Sequence, residues 1–283
     1  MTAQNIGIIG AGQMGQGIAE VLWLHGHTIY LFDADPVRLE LAYQKLRERL
    51  ESLINKGLIA TDFKNDFLDR LRVCVHLSYM STCTLIIEAI IENVDVKAKL
   101  FSDLSKIVDN ACVLATNTSS ISITKLAQHV VNSSRFLGIH FFNPVHRMPL
   151  IEMVPHQGTS LDVIEYMKGL IESVGKIPIR CADSPGFVVN RLLIPMINQA
   201  ARLVQNNIAK PEDIDLALKL GANFPMGPLA LADFIGLDTC VSILTILAKD
   251  CDDASYVPTE ILLDYVRAGK MGVKSKEGFF KYV

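Results

Sequence analysis

Short apolar runs separated by longer stretches of helical periodicity dominate the first two thirds of the chain. Strands are predicted at Ile6–Ile9, Thr28–Phe32, Leu85–Ile90, Val113–Ala115, Phe136–His140 and Leu150–Val154. Strands that alternate with helices in this way, from Asn5 to Arg180, predict a parallel sheet with crossover helices. Residues 34–72 are helical in character and mix both signs of charge, through Arg38, Glu40, Lys45, Arg47, Glu48, Arg49 and Glu51. That is more than one crossover needs, so a helical hairpin projecting from the sheet is expected. At Asp183-Ser184-Pro185-Gly186 the character changes, because the run Phe187–Val204 that follows has no strand alternation. A boundary is placed there, between an α/β domain over 1–183 and an all-helical domain over 184–283. Helices are predicted at about 187–206, 211–220, 228–248 and 258–268, the second of them opened by Pro211, Glu212 and Asp213.

Composition narrows the class. At 283 residues, half of them apolar and a fifth charged, the chain is a globular protein with room for two domains. A net charge of −3 with no basic block argues against nucleic acid or an anionic membrane surface as partner. No apolar run approaches the roughly 20 residues needed to span a bilayer. The chain passes from Met-Thr-Ala-Gln directly into a strand without a secretory or transit pattern, so a cytoplasmic protein is expected. Cys74, Cys83, Cys112, Cys181, Cys240 and Cys251 have neither CxxC nor Cys/His ligand spacing, and neither a disulfide nor a metal is expected. The apolar faces of the helical domain exceed what about 100 residues bury alone, which predicts a subunit interface.

The first strand leads into Gly10-Ala11-Gly12-Gln13-Met14-Gly15, residues 16–25 are helical, and a second strand ends in Asp33. A glycine triplet of this kind is weak in isolation. Between a strand and a helix, with an acid about 20 residues on, it is the dinucleotide-binding arrangement. Its first glycine makes the tight turn, its second admits the pyrophosphate, its third lets helix and strand pack, and the acid receives the adenosine ribose. A carboxylate at Asp33 repels a 2′-phosphate, so NAD is expected rather than NADP.

Oxidation of an alcohol by hydride transfer requires a base for the hydroxyl proton and a group that orients it. His140 ends a predicted strand, where ligands of open α/β sheets gather. Glu152 lies in the next strand and is a candidate partner for the second imidazole nitrogen. Spacing alone leaves open whether the two meet, and a lone histidine at a strand end is more often structural.

The assembled motifs resemble those of the short-chain L-3-hydroxyacyl-CoA dehydrogenases. They are the glycine loop, Glu88-Ala89-Ile90-x-Glu92-Asn93, Thr116-Asn117-Thr118-Ser119-Ser120, His140-Phe141-Phe142-Asn143-Pro144, Asp183-x-Pro185-Gly186-Phe187-x-x-Asn190-Arg191 and Pro225-Met226-Gly227-Pro228. The resemblance spans nearly the whole chain. It implies a Rossmann-type NAD-binding domain with a helical insertion, followed by an all-α domain for substrate and dimerisation. It implies that His140 is the general base, that Glu152 orients it, and that Ser119 and Asn190 hydrogen-bond the reacting oxygen. It further implies cofactor contacts from Glu92, Lys97, Ser119, Asn143 and Lys274, in addition to Gly10, Gly12, Gln13, Met14, Gly15 and Asp33. A short-chain acyl-CoA substrate, a homodimer, and a place in fatty-acid oxidation or butanoate metabolism are implied as well.

Two positions depart from the family pattern. The CoA-binding lysine aligns with Lys56, but the serine usually seven residues earlier is Arg49, and Lys276 stands where a glycine is usual. Apart from the resemblance, Lys97 and Lys274 are ordinary solvated lysines, Ser119 a loop hydroxyl bonded to its own backbone, and Asn190 a helix cap. Two further readings are a sugar-acid dehydrogenase of the gulonate type on the same fold and a catalytically silent NAD-binding protein.

Overall fold

The computed structural model describes residues 2–283, which form two compact units divided after Asp183. The first unit is built on an eight-stranded sheet in the order β3-β2-β1-β4-β5-β6-β7-β8. Its strands are β1 Asn5–Ile9, β2 Thr28–Phe32, β3 Leu71–Cys74, β4 Leu85–Glu88, β5 Val113–Thr116, β6 Phe136–Phe141, β7 Leu150–Pro155 and β8 Ile177–Arg180. Helices α1 Gln13–Leu24, α2 Pro36–Asn55, α3 Lys64–Asp69, α4 Val94–Leu104, α5 Ile123–Ala127 and α6 Leu161–Ser173 connect them.

The central strands are apolar because both faces of the sheet are covered. Every residue of β4, β5 and β6 is buried. Strand order reverses between β1 and β4, the switch point outside which ligands of such sheets bind. All pairings are parallel except one. β6 and β7 run antiparallel, with His140 opposite Glu152, which corrects the expectation of a wholly parallel sheet. The predicted 34–72 hairpin ends early: α2 and α3 form its two arms, and Leu71 and Arg72 already belong to edge strand β3. Trp23 on α1 donates its indole N–H to Phe67 O of α3 at 2.6 Å and meets the Phe67 ring edge-on, which fastens the hairpin to the sheet's helices.

The second unit is helical: α7 Val189–Gln205, α8 Pro211–Gly221, α9 Pro228–Ile235, α10 Leu237–Asp250 and α11 Glu260–Arg267. The predicted single helix over 228–248 is two helices, broken at Gly236, whose φ of 103° lies outside the helical range. Ile194, Ile197, Leu229, Leu237, Cys240 and Leu244 make the core of this unit. Buried Asp215 caps α9 by accepting from Leu229 N and Ala230 N, both at 2.8 Å. Asp233 accepts from Phe279 N, Phe280 N and the Tyr282 hydroxyl, which ties down the C-terminal segment. Burial pushes its carboxyl above the usual aspartate range despite those bonds. No single helix among the described residues is long and apolar enough to cross a membrane.

Candidate active site

The glycine loop is shaped by contacts that only glycine permits. Gly10 has φ 103°, and a Cβ there would lie 2.4 Å from Ala89 O at the end of β4. A Cβ on Gly15 would lie 1.8 Å from Gly10 O, so this residue sets how closely α1 meets the turn. At Gly12, by contrast, a Cβ would point into open space. Gly12 caps α1 without a side-chain bond, and the first turn carries no acid. The N–H groups of that turn are therefore available to an anion, which suits a pyrophosphate. The loop lines a cleft of about 600 Å³ together with Asp33, Arg38 and Ile90.

Asp33 is held in that cleft from both sides. Its Oδ2 accepts from Ala11 N at 2.7 Å and its Oδ1 from Asp35 N at 2.9 Å, while Arg38 comes within 3.9 Å. A carboxylate so placed accepts from ribose hydroxyls and repels a phosphate on the same sugar. Groove, helix terminus and acid together fit NAD.

His140 and Glu152 lie on neighbouring strands, and His140 Nδ1 is 2.8 Å from Glu152 Oε2. Both are buried, Glu152 completely. An ionised carboxylate only accepts, so opposite an ionised Glu152 the proton of this bond sits on Nδ1 and Nε2 is left to accept. Phe142 packs on the imidazole, with ring centroids 4.5 Å apart.

The loop after β5 carries Ser119, and Glu92 organises it. One Glu92 oxygen receives the hydroxyls of Thr118 (2.5 Å) and Ser120 (3.0 Å) and the backbone N–H of Ser119 (2.9 Å) and Ser120 (3.1 Å), with the Ser119 hydroxyl at 3.4 Å. Burial works to raise the Glu92 carboxyl. Lys97 and the Thr118, Ser119 and Ser120 donors outweigh it and hold Glu92 below the usual glutamate range. Asn117 Oδ1 accepts from Phe141 N at 2.9 Å and thereby fastens this loop to the residue after His140. On the other side, Gln13 Nε2 donates to Asn143 Oδ1 at 3.1 Å, which joins the glycine loop to the segment after β6.

Lys97 is not the solvated lysine that its local sequence suggests. It is 1% exposed on α4, with Nζ 2.5 Å from Glu88 Oε1 and 3.3 Å from Glu92 Oε2. Glu88, fully buried, also accepts from Ile90 N and from the Thr116 hydroxyl. The sequence offered one signal of this network: a carboxylate closing an all-apolar strand. A second unforeseen participant is Asp183, whose carboxylate accepts from the Ser122 hydroxyl and from Ile123 N and Thr124 N at the start of α5.

The remaining candidates lie on other elements. Arg49 on α2 has its Nε 2.8 Å from Glu20 Oε1 on α1, and Lys56 is the exposed C-cap of α2. In the second unit Asn190 is the second residue of α7 and Lys274 pairs with Asp238 at 2.5 Å. Lys276 adopts a left-handed conformation, φ 63°, yet the turn closes through Lys276 N to Val273 O and Tyr282 N to Lys276 O. All six cysteines are free thiols.

Comparison with known proteins agrees over the full length. The family described as 3-hydroxyacyl-CoA dehydrogenase, NAD binding domain, matches residues 5–184, and the 3-hydroxyacyl-CoA dehydrogenase C-terminal domain matches 186–282. The chain belongs to the 3-hydroxyacyl-CoA dehydrogenase family. It is therefore an oxidoreductase whose first unit is an NAD-binding domain. It is 43% identical over 276 residues to a probable 3-hydroxybutyryl-CoA dehydrogenase of Deinococcus radiodurans, covering 98% of this chain and 99% of that one. A 3-hydroxybutyryl-CoA dehydrogenase of Bradyrhizobium diazoefficiens is 40% identical over 279 residues, 99% of this chain and 95% of the relative. Among solved structures, the (S)-3-hydroxybutyryl-CoA dehydrogenase of Ralstonia eutropha superposes with a TM-score of 0.94 at 38% identity, covering all of both chains.

Proposed function

We propose that this family member is an NAD-dependent (S)-3-hydroxyacyl-CoA dehydrogenase of short acyl chains, interconverting 3-hydroxybutyryl-CoA and acetoacetyl-CoA. The observation that carries the reading is the buried His140–Glu152 pair at 2.8 Å, on a hairpin whose loop is bonded to the glycine loop. Bound NAD+ supplies the acceptor for the hydride that leaves C3. The protein does the rest. His140 takes the hydroxyl proton on Nε2 as the carbonyl forms, and Glu152 accepts from Nδ1 and stabilises the resulting imidazolium. Ser119 and Asn190 donate to the reacting oxygen as its charge develops. Glu92, Lys97, Asn143 and Lys274 serve the cofactor, Lys97 by holding Glu92. Lys56 and Arg49 receive the CoA moiety.

The step suits fatty-acid oxidation or butanoate metabolism in the cytoplasm. The assembly proposed is a homodimer through the helical unit, where Leu192, Leu216 and Leu220 stand 71%, 51% and 77% exposed on α7 and α8. The test is NADH oxidation by the purified chain with acetoacetyl-CoA, longer 3-oxoacyl-CoAs and the corresponding free acids. Turnover should be fastest with the short thioester and absent with free acids. Activity on free sugar acids without turnover of any thioester would reject the assignment.

A further inference from the structure

One buried cation of the first unit takes no part in the chemistry above. Lys176, immediately before β8, is 8% exposed, and burial pushes its ammonium below the usual lysine range. Its Nζ donates to Val145 O at 2.6 Å and to Met148 O at 2.9 Å. Among the described residues it forms no ion pair. A buried ammonium without a counter-charge is costly, and a methionine would fill similar space without that cost. What the lysine uniquely provides is the pair of bonds to those two carbonyls.

Both carbonyls belong to the loop 142–149, which joins β6 to β7 and so joins the strand of His140 to the strand of Glu152. The same loop meets the cofactor elements at two points. Asn143 Oδ1 accepts from Gln13 Nε2 of the glycine loop. Val145 rests on α1 at Gly17, where a Cβ would come within 2.9 Å of the valine side chain. The loop thus bridges the dyad hairpin and the pyrophosphate helix, and Lys176 anchors it.

We infer that Lys176 is a positioning residue: by fastening the Val145 and Met148 carbonyls it seats Asn143 against the glycine loop and sets the cofactor in place relative to the His140–Glu152 hairpin. This inference rests on the proposed function in taking Asn143 as a cofactor contact and His140 as the base. Loss of the ammonium removes the donor shared by the two carbonyls and strands that of buried Val145, so the loop must shift to satisfy it.

The experiment uses the full chain carrying Lys176→Met, Lys176→Gln, Gln13→Ala, and Lys176→Met with Gln13→Ala. NADH dissociation constants are measured by fluorescence titration, and kcat and KM with acetoacetyl-CoA on protein shown to be folded by circular dichroism. In Lys176→Met the NADH dissociation constant should rise about tenfold, while KM for acetoacetyl-CoA moves by less than about twofold. A role in folding alone would lower the active fraction and leave NADH affinity unchanged. Because Gln13 acts on the same loop, the double variant should lose less than the product of the single losses. Lys176→Gln keeps a neutral donor and should lie between wild type and Lys176→Met; it is the variant to use if Lys176→Met does not fold. Wild-type NADH binding in either folded variant, or losses that multiply in full, would overturn the inference. A wild-type chain that turns over no thioester, while Lys176→Met still weakens NADH binding, would defeat the substrate assignment and support the positioning role of Lys176.

Discussion

Glu152 stands opposite His140 in the register of two antiparallel strands, its Oε2 2.8 Å from the imidazole Nδ1 and wholly buried. Strand pairing, more rigid than a loop contact, fixes that distance, so the imidazole enters the reaction already oriented. Glu152→Gln keeps an acceptor for the Nδ1 proton and removes the charge that stabilises imidazolium. It should lower kcat about a hundredfold or more, and His140→Gln about a thousandfold, whereas NADH affinity changes by less than about twofold in both. Steady-state kinetics paired with NADH titration checks this. Near-normal kcat in either variant sinks the assigned role.

The Glu88–Lys97 pair makes a different prediction, on stability. Lys97→Met leaves the Glu88 carboxylate fully buried with only Ile90 N and the Thr116 hydroxyl as donors. Removing one partner of a buried pair costs about 3–5 kcal/mol, while removing both charges together costs much less. Urea denaturation should therefore show Lys97→Met strongly destabilised and Lys97→Met with Glu88→Gln largely restored. If the single variant loses under about 1 kcal/mol, the pair does not support this part of the sheet.

What the sequence disclosed follows from which physical signals are local. The glycine loop is legible because a turn, a helix start and an acid at fixed spacing all lie within one βαβ unit. The central strands are legible because burial on both faces makes them continuously apolar. β3 and β8 escaped because edge strands are half exposed: Arg72 and Val73 face out of β3, as do Ile177 and Arg180 of β8. The antiparallel pairing of β7 could have been read from length, since the connection from Phe141 to Leu150 is shorter than the dozen or so residues of a parallel crossover. Nothing local revealed that Lys97, Asp183 and Lys176 are held by the partners they have. Their partners lie on other elements, and a lysine beside polar neighbours reads as solvated until packing removes the water.

Asp183 predicts how stability responds to acid. Burial works to raise its carboxyl, but the Thr124 and Ile123 backbone donors and the Thr124 and Ser122 hydroxyls outweigh burial and hold it below the ordinary value of 3.8. The unfolded chain thus binds this proton more readily than the folded one. The stabilisation is present above the unfolded value and is lost as pH falls through the lower folded value. Asp183→Asn, which keeps the shape and loses the charge, should cost about 1 kcal/mol near neutrality. Urea denaturation across a pH series should show the difference between variant and wild type shrinking below about pH 4. A difference that stays constant into acid would show that Asp183 does not act through its charge.

At Lys276 the backbone takes a conformation that favours glycine. It holds φ 63° and ψ 5° at the end of a tight turn between Val273 and Glu277, beside the Lys274–Asp238 ion pair. A side chain in the left-handed region costs roughly 1–2 kcal/mol. Glycine removes that cost and gives back about 0.5–1 kcal/mol through the freedom it adds to the unfolded chain. Lys276→Gly should therefore stabilise the helical unit by about 0.5–1 kcal/mol, seen as a higher urea midpoint with unchanged slope. Because the turn is already closed by Lys276 N to Val273 O and Tyr282 N to Lys276 O, the substitution should leave the NADH dissociation constant unchanged. A stabilised variant with altered NADH binding would instead mean that strain at Lys276 tunes the placement of Lys274. A destabilised variant would mean that the lysine side chain contributes more than its backbone costs.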